Sequence, residues 1–221
     1  MATTKDLLLE IYGRLDAAYG DQRWWPGETP FEVAVGAILT QNTAWPNVEK
    51  AIANLREAGL LEPAKLAALP APAVAPLIKP AGYYNVKAGR LRRFLDFLFE
   101  EYGGDVAAMT QEALATVRPK LLAVRGIGPE TADSILLYAC GLPTFVVDAY
   151  TYRVLRRHGL ADDAATYDEL KELFESNLEA DVRLYNQYHA LLVRVGRERC
   201  RRREPLCEGC PLEGLNVGDG P

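Results

Sequence analysis

The residues best placed to do chemistry lie between Leu121 and Asp148. The stretch opens with Leu-Leu-Ala-Val-Arg-Gly-Ile-Gly-Pro-Glu-Thr-Ala-Asp, ending at Asp133. Gly126 and Gly128 flank one apolar residue, and Pro129 follows where a helix can begin without needing its missing N–H. This is the pattern of a helix-hairpin-helix. Its glycines allow close approach of another backbone, and the N–H groups at the start of the second helix can hold a phosphate without side-chain charge. An ordinary tight turn between two helices would use the same residues. Further on, Gly141, Pro143 and Val146-Val147 lead to Asp148, just before a new helical pattern. A carboxylate there can stabilise positive charge developing on a substrate, or cap the helix that starts near Ala149, and the two roles are compatible.

Two further groups have chemical potential. Trp24-Trp25-Pro26 and Trp45 bracket an early helical window, and such aromatics can stack on a planar or cationic group or simply pack a core. Cys200, Cys207 and Cys210 are spaced C-x6-C-x2-C, and thiolates at short spacing hold zinc or iron–sulfur centres. Cys140, closing a helical run after Leu136 and Leu137, reads as a buried apolar residue. His158 and His189 are the only histidines, with no second histidine at ligand spacing, and neither is given a catalytic or metal role. Arginines surround the cysteine trio at Arg194, Arg197, Arg199 and Arg201 to Arg203, and a second basic group comprises Lys87, Arg90, Arg92 and Arg93. Such runs form solvated faces or phosphate contacts.

These groups must be positioned by helices. Apolar residues recur with a helical period at Phe31, Val35, Ile38 and Leu39, at Leu91, Phe94, Leu95 and Leu98, and at Leu170, Leu173, Phe174 and Leu178. Breakers between the windows include Pro26-Gly27, Gly103-Gly104 and Gly141-Leu-Pro143. Thr144 to Val147 is the one strand-like segment and reads as an extended lead into the next helix. The 221 residues are 49% hydrophobic, enough for a substantial core, and no apolar run is long enough to span a bilayer. The beginning shows no leader pattern, so a cytoplasmic, monomeric protein is expected, and the cysteine arrangement is unlike a secreted disulfide framework. A net charge of −5 argues against gripping a phosphate backbone through overall charge, so any such contact must be locally organised. The last residues, Asn216 to Pro221, read as a frayed tail.

With Gly126, Gly128, Gly141, Pro143 and Asp148 in this order, the chain resembles the endonuclease III (HhH-GPD) superfamily of DNA glycosylases. The resemblance extends to Leu39-Thr-Gln41-Asn-Thr43 and to the cysteine-bearing end. It implies an all-α, two-lobed fold: a six-helix barrel lobe over residues 23–140 carrying the hairpin, inserted in a lobe made of residues 1–22 and 141–221. It implies double-stranded DNA with a damaged base as the partner. Gln41 would fill the gap left by an extruded nucleotide, Gly126, Gly128 and Thr131 would contact the backbone, and Asp148 would act where the N-glycosidic bond breaks. Members that also cut the backbone use a lysine just after the hairpin, where this chain has Glu130; the departure implies a monofunctional enzyme using water. Trp24, Trp25 and Pro26 resemble the base-pocket motif of the branch that excises 3-methyladenine; Trp45 stands where that branch can carry phenylalanine, Glu130 is placed with the same pocket, and a cationic purine would gain cation–π attraction there. The family completes its [4Fe–4S] ligands with a fourth cysteine, and here that position is Asn216. A cluster with an unusual ligand, a zinc or empty site, and a set of reduced thiols all remain open. Two other functions compete: a glycosylase and lyase for oxidised or deaminated bases, and a non-enzymatic module that binds damaged DNA or senses redox state.

Overall fold

Side chains at the helix starts set where the elements begin. In a computed structural model of the protein, which describes residues 3–215, there are eleven α-helices and no β-strand among the described residues. Thr3 and Asp6 form a reciprocal capping box at the start of α1 (Thr4–Tyr19), and Thr166 and Glu169 do the same for α10 (Tyr167–Glu175). Asp148 caps α9 (Ala149–Arg157), and Asp181 caps α11 (Val182–Glu198). Thr29 caps α2 (Pro30–Leu39), whose proline occupies the first turn. The remaining helices are α3 (Trp45–Glu57), α4 (Pro63–Ala67), α5 (Ala71–Val74), α6 (Tyr84–Tyr102), α7 (Leu114–Ala123) and α8 (Pro129–Ser134). After α8 the backbone continues as a π-helical turn over Ile135–Ala139. No helix among the described residues is long and apolar enough to cross a membrane.

The chain divides into two compact units: Trp25–Leu142, and residues 3–24 with 143–215. The core of the Trp25–Leu142 unit is aliphatic, built from α2, α3, α6 and the hairpin helices, with Ile38, Leu39, Leu55, Leu91, Phe94, Leu98, Leu121 and Leu136 all buried. The α2 and α6 residues are those of the two periodic windows in the sequence. The other unit packs α1, α9, α10 and α11 around an aromatic layer. There Phe145 stacks on Phe174 at 3.7 Å, and Tyr185 and Tyr188 meet Phe145 edge-on. Fully burying each phenylalanine contributes roughly 2 to 3 kcal/mol, against about 1 kcal/mol for a cap, so the layer rather than the caps holds this unit together.

The segment Thr144 to Val147 is extended and buried but pairs with no strand. Side chains take its donors instead. The Phe145 N–H reaches Glu175 Oε1 at 2.7 Å, and the Tyr167 hydroxyl lies 3.5 Å from the Val147 nitrogen. The segment thereby delivers Asp148 to the start of α9 in a fixed position.

Candidate functional site

At the hairpin, the two glycines do different work. Gly126 has φ +102°, and a Cβ there would lie 2.7 Å from Cγ of Arg90, so only glycine fits without strain or displacement. Gly128 caps α8 in an extended conformation open to any residue, and nothing lies near the position a Cβ would take. Its value is the space it leaves beside the first turn of α8. Ile127 between them is buried and anchors the turn. Behind α8, the fully buried Asp133 takes a bidentate contact from Arg118 at 2.8 and 3.0 Å, which locks α7 to α8.

Gln41, just after α2, joins this hairpin. Its Nε2 donates to Gly126 O at 3.0 Å and to Thr131 Oγ1 at 2.9 Å, while Oε1 accepts from Arg90. The residues assigned to DNA contact, Gln41, Gly126 and Thr131, are thus brought together, and the buried Thr131 hydroxyl is engaged with the amide. Nearby, Arg93 reaches Arg125 O at 2.6 Å, and a hollow of about 430 Å³ is lined by Asn85, Arg90, Arg93, Arg125 and Gly126. One expectation fails here. Lys87 is no surface phosphate contact: it is 1% exposed and its ammonium donates to Leu39 O, Thr43 Oγ1 and Ala81 O. The sequence spacing that groups it with Arg90 fixes its helix, not its depth.

The aromatics separate into two sets. Trp25 meets Trp45 edge-on at 5.0 Å and lies against Tyr138 at 5.1 Å, over the bare Cα of Gly36. Trp24 instead lies edge-on to His189 at 6.5 Å. Pro26 and Glu130 are exposed, with Glu130 in the first turn of α8 where the helix dipole favours an acid.

Asp148 has its two oxygens in different surroundings. Oδ1 accepts from Tyr150 N at 2.9 Å, Thr151 N at 2.8 Å and Thr151 Oγ1 at 3.0 Å, which fixes the carboxylate on α9. Oδ2 accepts no hydrogen bond from the described residues and lies 3.8 Å from Nε2 of His189, beyond hydrogen-bond length. Burial pushes the His189 imidazole below its ordinary pKa, and the Asp148 carboxylate opposes part of that shift. A neutral His189 leaves the charge on Asp148 uncompensated at neutral pH. The carboxylate is rigid, partly open to solvent and negative, which is what stabilising a nearby cation requires.

A family model for HhH-GPD superfamily base excision DNA repair proteins matches residues 35–180. A protein of Methanocaldococcus jannaschii provisionally named a DNA repair glycosylase is 47% identical over 94% of both chains. The chain belongs to the HhH-GPD superfamily of base excision DNA repair proteins. Endonuclease III of Thermotoga maritima is 32% identical to this HhH-GPD protein over 83% of this chain and 81% of its own. Among solved structures, Helicobacter pylori 3-methyladenine DNA glycosylase bound to 1,N6-ethenoadenine is 31% identical with a TM-score of 0.77, covering 89% of this chain and 98% of that one. A trapped endonuclease III–DNA covalent intermediate, at 23% identity, shares the fold with a TM-score of 0.82, covering 96% and 94%.

For this HhH-GPD protein the cysteine end tests the fit of a cluster. Cys200 is buried, Cys207 exposed and Cys210 half-buried, and the fourth family position, Asn216, lies outside the described residues. Among the described residues no three His, Cys, Asp or Glu side chains are arranged to hold a metal ion. Arg157 instead braces the segment, donating to Cys200 Sγ at 3.2 Å and to Arg201 O at 2.7 Å, while Arg153 reaches Cys200 O at 2.6 Å. Burial raises the pKa of the Cys210 thiol, and the Cys200 and Cys207 thiols add to that rise, so the three cysteines are neighbours.

Sequence reasoning missed two residues that the fold brings to these groups. Tyr138 sits on the π-helical turn, whose extra residue shifts the helical register and turns the ring onto Trp25. His189 gives no signal in the sequence because its partner, Asp148, lies far away along the chain.

Proposed function

We propose that this HhH-GPD protein is a monofunctional DNA glycosylase that hydrolyses the N-glycosidic bond of alkylated purines such as 3-methyladenine. The observation that carries the proposal is the carboxylate of Asp148, anchored through Oδ1 with Oδ2 left open. In the reaction the C1′–N bond breaks with its electron pair leaving on the base, and the cationic base departs neutral. Asp148 stabilises the oxocarbenium-like sugar, water adds to C1′, and the water's proton leaves to the carboxylate or to solvent. A cationic base is already a good leaving group, so no general acid is needed.

The remaining assignments follow the same reading. The DNA backbone is held at Gly126, Gly128 and the start of α8, and Gln41 occupies the space vacated by the flipped nucleotide. Trp25, Pro26 and Trp45 supply the apolar and stacking surface for the base, and Tyr138 adds to the Trp25–Trp45 group. Glu130, in place of the lysine of backbone-cutting members, supports hydrolysis by water over Schiff-base chemistry. The likeness to a 3-methyladenine DNA glycosylase structure supports the choice of substrate class.

The test is chromatography of bases released from dimethyl sulfate-treated DNA by the wild type and by Asp148→Asn. Release of methylated purines by the wild type alone is the expected result. Equal release by Asp148→Asn would remove the catalytic assignment, and no release by either would favour a damage-binding module.

A further inference from the structure

Lys87, on α6, is among the largest fully buried side chains of the protein. Its ammonium has three protons and meets three oxygens: Leu39 O at 2.7 Å, Thr43 Oγ1 at 2.6 Å and Ala81 O at 2.8 Å. None of these is a carboxylate, so the charge is buried against neutral dipoles, an expensive arrangement that a methionine of similar length would avoid. Burial and the neighbouring Arg90 bring its pKa down to about 8, and the three acceptors favour the protonated form.

The acceptors come from two separate turns. Leu39 and Thr43 bracket Gln41, and the Thr43 hydroxyl itself donates to Ala81 O. Ala81 precedes the turn into α6, where Tyr83 is 75% exposed and held at φ +45°, a conformation a bulky residue adopts only when its surroundings enforce it. The Lys87 N–H closes that turn on Tyr83 O at 3.0 Å. One side chain therefore joins the Leu39 carbonyl and the Thr43 hydroxyl, on either side of Gln41, to the turn before α6.

We propose that Lys87 is a positioning residue for base extrusion: its ammonium fixes the Leu39–Thr43 turn against the Ala81–Tyr83 turn, so that Gln41 meets DNA in one attitude. The proposal rests on the assignment of Gln41 above and on no particular lesion.

The test uses a duplex in which 2-aminopurine neighbours a tetrahydrofuran abasic-site analogue, a probe that reports entry of a side chain into the vacated stack without any base release. Wild type is expected to change the fluorescence on binding. Lys87→Met is expected to bind with affinity within about fivefold, because backbone phosphates supply most of it, and to lose the fluorescence change. Its single-turnover base release at saturating protein should fall roughly tenfold to a hundredfold per folded molecule. Adding Gln41→Ala to Lys87→Met should cost nothing further, since both variants remove one function. Thr43→Val, which keeps the lysine but takes away one acceptor, should show the same pattern more weakly and serves if Lys87→Met does not fold. A wild-type fluorescence change in folded Lys87→Met, or rate losses that multiply in the double variant, would overturn the proposal. No change in the wild type would overturn the Gln41 assignment and this proposal with it, whatever base the protein excises.

Discussion

Around the hairpin, polar side chains are engaged with one another: both ends of the Gln41 amide, the Thr131 hydroxyl, and the Arg118–Asp133 pair behind them. Around Asp148, one carboxylate oxygen holds the helix and the other does not. The first region is organised to let another backbone approach, since Gly126 and Gly128 carry no side chains while their carbonyls are already held by Gln41 and by the Ala132 N–H. The second keeps a charged atom in reserve. On the proposed reading, a binding surface can be built from satisfied groups, whereas a catalytic carboxylate keeps one oxygen free of hydrogen bonds in a rigid frame.

The strongest way to break this contrast is Asp148→Asn. The amide can still accept from the start of α9, but it offers no negative charge, so base release should drop by at least about a hundredfold while DNA affinity stays near wild type. Retained release would mean the open oxygen is not the working atom. Next in size is Arg118→Met, which takes the bidentate guanidinium away from the fully buried Asp133 carboxylate. It should destabilise the protein by roughly 3 kcal/mol in denaturant unfolding, and a loss below about 1 kcal/mol would show that the pair does not lock the hairpin. Gly126→Ala should cost on the order of 1 to 3 kcal/mol through its positive φ and its clash with Arg90. Because Arg90 and Gly126 both hold Gln41, it should also weaken binding to an abasic-site duplex more than binding to intact DNA. Equal weakening would uncouple Gln41 from the turn.

The smallest expected effect concerns His189. Burial keeps its imidazole neutral in the folded protein, while in the unfolded chain it takes up a proton near pH 6.5. The unfolded state therefore binds more protons below that pH, so the stability present above pH 6.5 declines as the pH falls through it. Denaturant unfolding at pH 7 and pH 5.5 should show this decline in the wild type and a flatter response in His189→Gln. Identical slopes would mean that His189 does not titrate as a buried neutral group beside Asp148.

Much of this was legible in the sequence where the backbone itself does the work. The apolar periods locate α2, α6 and α10, and the spacing of Gly126, Gly128 and Pro129 locates the hairpin, because local chemistry determines each. Asp148 reads correctly as the cap of α9 for the same reason. What escaped depends on contacts distant in sequence. Lys87 looks like its arginine neighbours until Leu39 and Ala81 close over it, and His189 gains a partner only when α11 packs beside α9. Tyr138 needed the π-helical turn, which no periodicity announces. Cysteine spacing does not decide the metal question, because a ligand set needs a fourth donor and that family position, Asn216, lies outside the described residues.

The most direct test of the central claim is incubation of wild-type protein with duplexes carrying a single 3-methyladenine or 7-methylguanine, uracil or thymine glycol, with products resolved with and without alkali. Release of a methylated purine, with strand scission only after alkali, is the predicted result. Scission without alkali, or activity confined to uracil or thymine glycol, would contradict it.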